Sequence, residues 1–162
     1  MKIIERKGNL FNAPNDLKTD ISNLLFVHCI SADFALGAGI AKTFADEHNV
    51  RNALYNKYYR DAWDNKGYAL FTYTDIMVMN LVTKEKYYNK PTYKTLKESL
   101  EHLKNQLLDS PILLEKILIM PKIGCGLDRL EWNKVKDIIE EVFKDINVSI
   151  YFYSLYSIRY CG

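Results

Sequence analysis

Short apolar runs separate longer amphipathic segments along this chain, and the two kinds of pattern predict strands and helices. Leu24–Ile30 and Ile117–Met120 are continuous apolar runs, which is typical of strands buried on both faces of a sheet. Four further segments complete the predicted strands: Lys2–Arg6, Tyr68–Tyr73, Ile76–Thr83 and Val148–Ser154.

Apolar residues at three- and four-residue steps predict four helices. One begins at about Ile40, and a second covers Val50–Trp63. Thr92 is a good N-cap for a third, which has leucines at 96, 100, 103 and 107 on one face. The fourth has Trp132 and Phe143 on its apolar face, whereas Leu10–Asp20 is predicted to be a loop.

Strands and helices alternate throughout, which predicts an α/β fold with a sheet covered by helices on both faces. A chain of 162 residues is expected to form one domain, residues 1–162, with a short C-terminal tail from about residue 155. No repeat or linker divides it.

The composition indicates an ordinary globular protein, with 48% hydrophobic and 26% charged residues. A net charge of +2 is too small to favour non-specific nucleic-acid binding. The chain lacks a signal-peptide pattern and a run of membrane length, so we expect a cytoplasmic monomer that does not bind membranes. The cysteines and histidines show no metal-binding spacing, and we expect neither a metal nor a cofactor.

Two glycine-bracketed turns each follow an apolar strand and precede a helical pattern. They are Gly37-Ala38-Gly39 and Gly124-Cys125-Gly126. Such turns let backbone N–H groups approach an anion, and a helix start adds partial positive charge. Lys42 stands where a dinucleotide fingerprint has its third glycine, and no Gly-Lys-Ser/Thr follows the second turn. Either turn alone could be a plain connection, but two in one sheet favour a phosphate or pyrophosphate between them.

Six motifs occur in an order that resembles the macrodomain family, specifically its terminal ADP-ribose protein glycohydrolase branch. The resemblance extends from about Lys2 to Leu155, and it implies a three-layer α/β/α fold with a central mixed sheet. The block Ile123–Leu130 together with Thr83-Lys84 is specific to that branch. The motifs are Gly8–Phe11, His28–Asp33, Gly37–Ala41, Leu81–Lys84, Lys90–Tyr93 and Met120–Trp132.

The resemblance implies binding of ADP-ribose and its removal from modified macromolecules without a metal. It assigns Lys84 as the nucleophile that attacks the distal ribose, and Asp128 as the group that assists resolution of the lysine–sugar adduct. The residues alone favour Lys84 as one solvated member of a lysine-rich loop, and the branch-specific match reverses that preference. Asp128 could also be an acid stabilised by the dipole of the following helix, an interpretation that is compatible with a catalytic role.

The same resemblance assigns the ligand-binding positions. Asn9 stands where the family has an aspartate that contacts adenine; its amide oxygen can still accept a hydrogen bond, but the charge is lost. Tyr153 matches an aromatic residue that stacks on adenine, although a core tyrosine of the last strand is an equal alternative. Ser31 and Asp33 are expected near the distal ribose. The remaining positions are Leu10, Gly37, Ala38, Gly39, Ile40, Ile123, Gly124, Cys125, Gly126 and Leu127.

The leading functional hypothesis is a hydrolase that removes mono-ADP-ribose or terminal ADP-ribose from glutamate and aspartate esters through a lysyl-sugar intermediate. O-acetyl-ADP-ribose would fit the same mechanism. The expected partners are ADP-ribose and ADP-ribosylated proteins. Three alternatives remain open: a glycohydrolase for ADP-ribosylated DNA bases, with modified nucleic acid as its partner, an ADP-ribose-1″-phosphate phosphatase, and a reader that binds ADP-ribose without turnover.

Overall fold

The computed structural model describes residues 1–155, which form one six-stranded mixed sheet. Its strand order is β1-β6-β5-β2-β4-β3. All neighbouring strands are parallel except β3, which pairs antiparallel with β4 at one edge. The strands are β1 (Lys2–Lys7), β2 (Leu24–Ser31), β3 (Tyr68–Tyr73), β4 (Met77–Lys84), β5 (Ile117–Pro121) and β6 (Ser149–Ser154).

Helices cover both faces of the sheet. The helices are α1 (Ala13–Asp16), α2 (Gly39–His48), α3 (Val50–Lys57), α4 (Tyr93–Asp109), α5 (Pro111–Leu114) and α6 (Trp132–Phe143). Buried residues of α2 and α3 belong to one core cluster, and those of α4 and α6 belong to the other. The predicted three-layer α/β/α fold with a central mixed sheet is therefore confirmed.

The two-residue period of β2 explains why both cores form. Leu25 and Val27 belong to the cluster beneath α4 and α6, whereas Leu24 and Phe26 belong to the cluster beneath α2 and α3. Successive side chains of a strand point to opposite faces, so an uninterrupted apolar run is required when both faces are covered.

The start of α4 is attached to the end of β4. Thr92 forms the predicted cap: its hydroxyl accepts from the Thr95 N–H at 3.0 Å, and the Thr92 N–H donates to the Thr95 hydroxyl oxygen at 3.1 Å. The Thr95 hydroxyl also donates to the Thr83 carbonyl at 2.7 Å. The backbone immediately before Lys84 is therefore held by the helix that follows it.

Two predicted segments differ in the structure. The helix expected over Val50–Trp63 ends at Lys57, because the backbone of Tyr58 is extended and its hydroxyl donates to the Phe71 carbonyl at 2.8 Å. The segment predicted as a loop over Leu10–Asp20 contains a 3₁₀ turn and the short helix α1, with Pro14 in the first turn of that helix.

Two expectations concern the chain ends and membranes. The predicted C-terminal tail lies outside the described residues beyond Leu155, and so does Cys161. Within residues 1–155, no helix is both long and apolar enough to cross a membrane.

Candidate active site

A cavity of about 630 Å³ opens at the carboxyl ends of β2, β4 and β5. This edge is where open α/β sheets bind their ligands, because the loops that leave parallel strands converge there. Twelve of the sixteen predicted site residues line it: Ser31, Gly37, Ala38, Gly39, Ile40, Lys84, Ile123, Gly124, Cys125, Gly126, Leu127 and Asp128.

Lys84 and Asp128 form an ion pair within this cavity. Lys84 is the last residue of β4, and Asp128 lies in the loop that follows β5, 44 residues later in the chain. The ammonium Nζ donates to Asp128 Oδ1 at 2.7 Å, with the two side chains 15% and 16% exposed. Both charges are therefore largely shielded from water, and each is satisfied by the other.

The first glycine turn leads directly into a helix whose amino end faces the cavity. Helix α2 begins at Gly39, and Gly39, Ile40 and Ala41 all line the cavity. The first N–H groups of a helix lack intrahelical acceptors, and the N-cap residue Ala38 provides no side-chain acceptor. This turn therefore presents unpaired donors and partial positive charge, which suit a phosphate group.

The second glycine turn is built differently from the prediction. Helix α6 begins only at Trp132, so Asp128 does not lie in its first turn, and the macrodipole interpretation of Asp128 is wrong. The intervening chain folds on itself, with the Leu130 N–H donating to the Gly124 carbonyl at 2.8 Å. Gly124 has φ +74°, and a Cβ there would lie 2.9 Å from a Leu130 methyl carbon. The left-handed backbone favours a glycine at this position, and an added Cβ would also require the Leu130 side chain to move.

Comparison with known proteins identifies the family. No family model matches the chain. The chain is 39% identical over 147 residues to ADP-ribose glycohydrolase OARD1 of Bos taurus, covering 90% of this chain and 88% of the bovine protein. It is 38% identical over 149 residues to OARD1 of Homo sapiens, covering 92% and 89%. The chain belongs to the macrodomain family, in its terminal ADP-ribose glycohydrolase branch.

Solved structures agree with the macrodomain fold. The macrodomain of Mycobacterium tuberculosis DarG superposes with a TM-score of 0.70 at 18% identity, covering 93% of this chain and 96% of that one. Thermosipho africanus DarTG, solved in complex with ADP-ribose, superposes with a TM-score of 0.66 at 18% identity, covering 93% and 41%. At these identities the similarity shows the fold.

Three of the predicted ligand positions of this macrodomain lie away from the cavity lining. Asn9 is exposed, and its Oδ1 accepts from the Phe11 N–H at 2.9 Å, capping the 3₁₀ turn. Leu10 is a core residue. Tyr153 is 2% exposed and its hydroxyl donates to Asp16 Oδ2 at 3.0 Å, as the core alternative for this tyrosine predicted. Burial and this hydrogen bond raise the pKa of Tyr153 to about 12.

Asp33 is the fourth predicted position outside the cavity lining, and both of its carboxylate oxygens accept hydrogen bonds from the protein. Oδ1 accepts from the Ser31 hydroxyl at 2.5 Å and from the Ala35 N–H at 3.1 Å. Oδ2 accepts from the Tyr87 N–H at 3.0 Å. Ser31 itself lines the cavity, so of the two residues expected near the distal ribose only Ser31 is placed to reach a ligand.

Several lining residues of the macrodomain cavity were not predicted. Lys90 donates from Nζ to the Leu127 carbonyl at 2.7 Å, which connects the loop after β4 to the second glycine turn. Lys90 belongs to the Lys90–Tyr93 motif, but the resemblance assigned it no contact with the ligand. The others are Cys29, Ile30, Ala35, Leu36, Ala41, Tyr87 and Pro121.

Cys29 contributes to the cavity wall near the ion pair. Its burial, and secondarily the negative charge of Asp128, raise the pKa of the Cys29 thiol to about 12. The thiol is therefore protonated at neutral pH and is a poor nucleophile, unlike a reactive cysteine. Across residues 1–155, no three His, Cys, Asp or Glu side chains are grouped as a metal site would require.

Proposed function

We propose that this macrodomain removes ADP-ribose from the carboxylate side chains of modified proteins, with Lys84 as the nucleophile. The observation that carries the proposal is the 2.7 Å contact between Lys84 Nζ and Asp128 Oδ1 inside the cavity. The lysine must be neutral to attack an electrophilic carbon, and the Asp128 carboxylate is a proton acceptor within hydrogen-bond distance of its ammonium group. The similar bovine and human proteins are ADP-ribose glycohydrolases, which supports the hydrolytic part of this proposal.

The cavity suits a large anionic ligand. Its volume of about 630 Å³ lies in the usual range of small-molecule sites, about 300–1,000 Å³. The N–H groups at the start of α2 border this cavity and provide donors for a diphosphate. With the diphosphate held there, the distal ribose would extend toward the carboxyl end of β4, where Lys84 lies.

The proposed first step forms one bond and breaks one. Asp128 accepts a proton from the Lys84 ammonium along their hydrogen bond, which leaves a neutral amine. The amine nitrogen attacks the anomeric carbon of the distal ribose, and the bond from that carbon to the ester oxygen breaks. The leaving glutamate or aspartate takes the bonding electron pair and departs as a carboxylate.

The second step regenerates the enzyme. Asp128 releases the proton it gained to solvent and then accepts a proton from the water that attacks the anomeric carbon of the lysine–sugar adduct. The bond from that carbon to the Lys84 nitrogen breaks, its electron pair returns to the nitrogen, and Asp128 passes the proton to this amine. The net reaction converts ester and water into ADP-ribose and a free acid. O-acetyl-ADP-ribose would follow the same path with acetate as the leaving group.

Release of ADP-ribose from a glutamate-linked ADP-ribosylated protein tests the proposal. Lys84→Ala should lower the release rate about a thousandfold or more, while binding of free ADP-ribose is retained. The matched control is Lys86→Ala in the same loop; Lys86 pairs with Asp61 at 2.9 Å at the surface and does not line the cavity. It should leave the rate within about twofold.

Two outcomes would contradict the proposal. Release that survives Lys84→Ala would exclude the lysine as nucleophile. If the wild-type protein binds ADP-ribose tightly but releases none from carboxylate esters, it is a reader or acts on another linkage. DNA-linked ADP-ribose would then be the next substrate to assay.

A further inference from the structure

Asp33 joins two loops that border the cavity. Residues 32–38 leave β2 and lead to the first glycine turn, whereas residues 85–92 leave β4 immediately after Lys84. Asp33 Oδ1 binds within its own loop, to the Ser31 hydroxyl and the Ala35 N–H. Asp33 Oδ2 reaches the other loop, where it accepts from the Tyr87 N–H at 3.0 Å. One side chain therefore connects the two loops through both of its oxygens.

The loop that contains Asp33 has a conformation that needs support. Phe34 and Leu36 have φ values of 54° and 42°, in the left-handed region that bulky side chains disfavour, and both are buried. Arg51 of α3 donates to the carbonyls of Ala35 and Leu36, and Asp33 accepts from the Ala35 N–H. These hydrogen bonds hold residues 32–38 in one conformation, so a neighbouring segment that bonds to this loop is held in place as well.

The loop that follows Lys84 is attached to residues 32–38 by hydrogen bonds. The Lys84 carbonyl accepts from the Ala32 N–H at 2.9 Å, which fixes the residue's backbone at the strand end. Three residues later, the Tyr87 N–H is fixed by Asp33. A second link lies at the surface, where Lys86 pairs with Asp61. Because that second link is exposed, we expect it to contribute little.

We propose that Asp33 is a positioning residue, which holds the backbone after β4 so that Lys84 is correctly placed for attack; this inference rests on the function proposed above. Attack of an amine on a bound sugar depends on placement to within about 1 Å. Asp33 acts through Tyr87 and the loop, because both of its oxygens are occupied by protein donors and it does not line the cavity.

The substitution Asp33→Asn isolates this role with little change in shape. An asparagine has one acceptor oxygen, so it can serve either the Ser31 and Ala35 donors or the Tyr87 N–H, and its NH₂ group must face the remaining backbone donor. We expect kcat to fall by about 10- to 100-fold. KM and the affinity for free ADP-ribose should change much less than kcat, because Asp33 itself does not line the cavity.

A second measurement, hydrogen exchange, detects the link without relying on activity. In Asp33→Asn, amides of residues 85–90 should exchange faster, whereas those of α4 and α6 should not change. Lys86→Ala is the matched control: it removes the surface pairing of the same loop and should change neither the turnover rate nor the exchange by more than about twofold.

The two measurements also separate failure of this inference from failure of the proposed function. Unchanged kcat in Asp33→Asn would overturn the positioning role. A fall in ADP-ribose affinity that matches the fall in kcat would overturn it too, because it would make Asp33 a binding residue. If the wild-type protein releases no ADP-ribose, the proposed function fails. Independently of that result, unchanged hydrogen exchange of residues 85–90 in Asp33→Asn would show that Asp33 does not hold the loop.

Discussion

The two glycine turns look alike in sequence but are used differently in the structure. The first, at residues 37–39, leads at once into α2 and presents unpaired N–H groups to the cavity. The second, at residues 124–126, is followed by a folded loop, and α6 begins only at Trp132. The first turn therefore offers positive charge to a ligand, whereas the second delivers a carboxylate, Asp128, to Lys84.

The contrast shows that a glycine-bracketed turn lets other groups approach the backbone closely, but it does not determine which group does so. In the first turn the helix follows directly, so the helix itself is the binding element. In the second turn the extra residues between Gly126 and Trp132 allow the chain to fold back and place an acid over the end of β4. Three predictions sharpen this difference.

The largest expected effect is on stability, and it concerns His28, which packs beneath α2 and the first turn. His28 is fully buried under α2, with its ring centroid 4.3 Å from that of Phe44. Its Nε2–H donates to Asn80 Oδ1 at 2.6 Å, because the Asn80 amide nitrogen is already donating to Leu70 and Thr72. Burial lowers the pKa of His28 from 6.5 to about 4.

Stability should therefore depend on pH in a defined window. Below pH 6.5 the unfolded chain binds a proton at His28 that the folded protein does not, so stability is complete above that pH and is lost as pH falls toward 4. The loss should be about 3 kcal/mol. Urea unfolding at a series of pH values measures it. His28→Gln, which keeps a donor for Asn80, should reduce this slope and leave the part that comes from carboxyl groups; an equal slope in both proteins would contradict the assignment.

The next prediction compares how much the protein is destabilised when one glycine of each turn is replaced. Gly124→Ala should destabilise the protein by about 2 kcal/mol, because it adds left-handed strain and a contact with Leu130. Gly37→Ala should cost less than about 0.5 kcal/mol, since no atom lies closer than 3.9 Å to the added Cβ. Equal destabilisation in urea unfolding would show that the two turns have the same backbone requirements.

The smallest effect concerns the two helix starts. Ala38→Asp should supply α2 with its missing cap and stabilise the free protein by about 1 kcal/mol. Glu131→Asp should do the same for α6, which also lacks a side-chain cap. Calorimetry with ADP-ribose should then separate the two variants: we expect about tenfold weaker binding for Ala38→Asp, and no change for Glu131→Asp. Unchanged affinity in both variants would remove the start of α2 from the ligand site.

Much of the fold could be predicted because its signals are local. The apolar runs of β2 and β5 and the Thr92 cap are complete within a few residues, and the resemblance supplied the layer order. The Val50–Trp63 helix was predicted too long because Tyr58 bonds to a distant strand, which no helical period reveals.

Most positions of the site could be predicted from the sequence, but the role of each residue could not. The 44-residue separation of Lys84 and Asp128 is closed only by the parallel order of β4, β2 and β5. Asp33 was expected to meet the ribose, yet its oxygens are taken by Tyr87, Ser31 and Ala35. Whether a carboxylate binds protein donors or a ligand depends on tertiary contacts, which a sequence motif does not describe.

The central claim is that Lys84 becomes covalently bound to the sugar, and adduct trapping tests it most directly. The wild-type protein should be incubated with a glutamate-linked ADP-ribosylated substrate in the presence of borohydride, digested and analysed by mass spectrometry. The account predicts a reduced sugar adduct on the peptide that contains Lys84, and none in Lys84→Ala. Rapid release of ADP-ribose without any adduct, or an adduct only on Lys86 or Lys90, would contradict it.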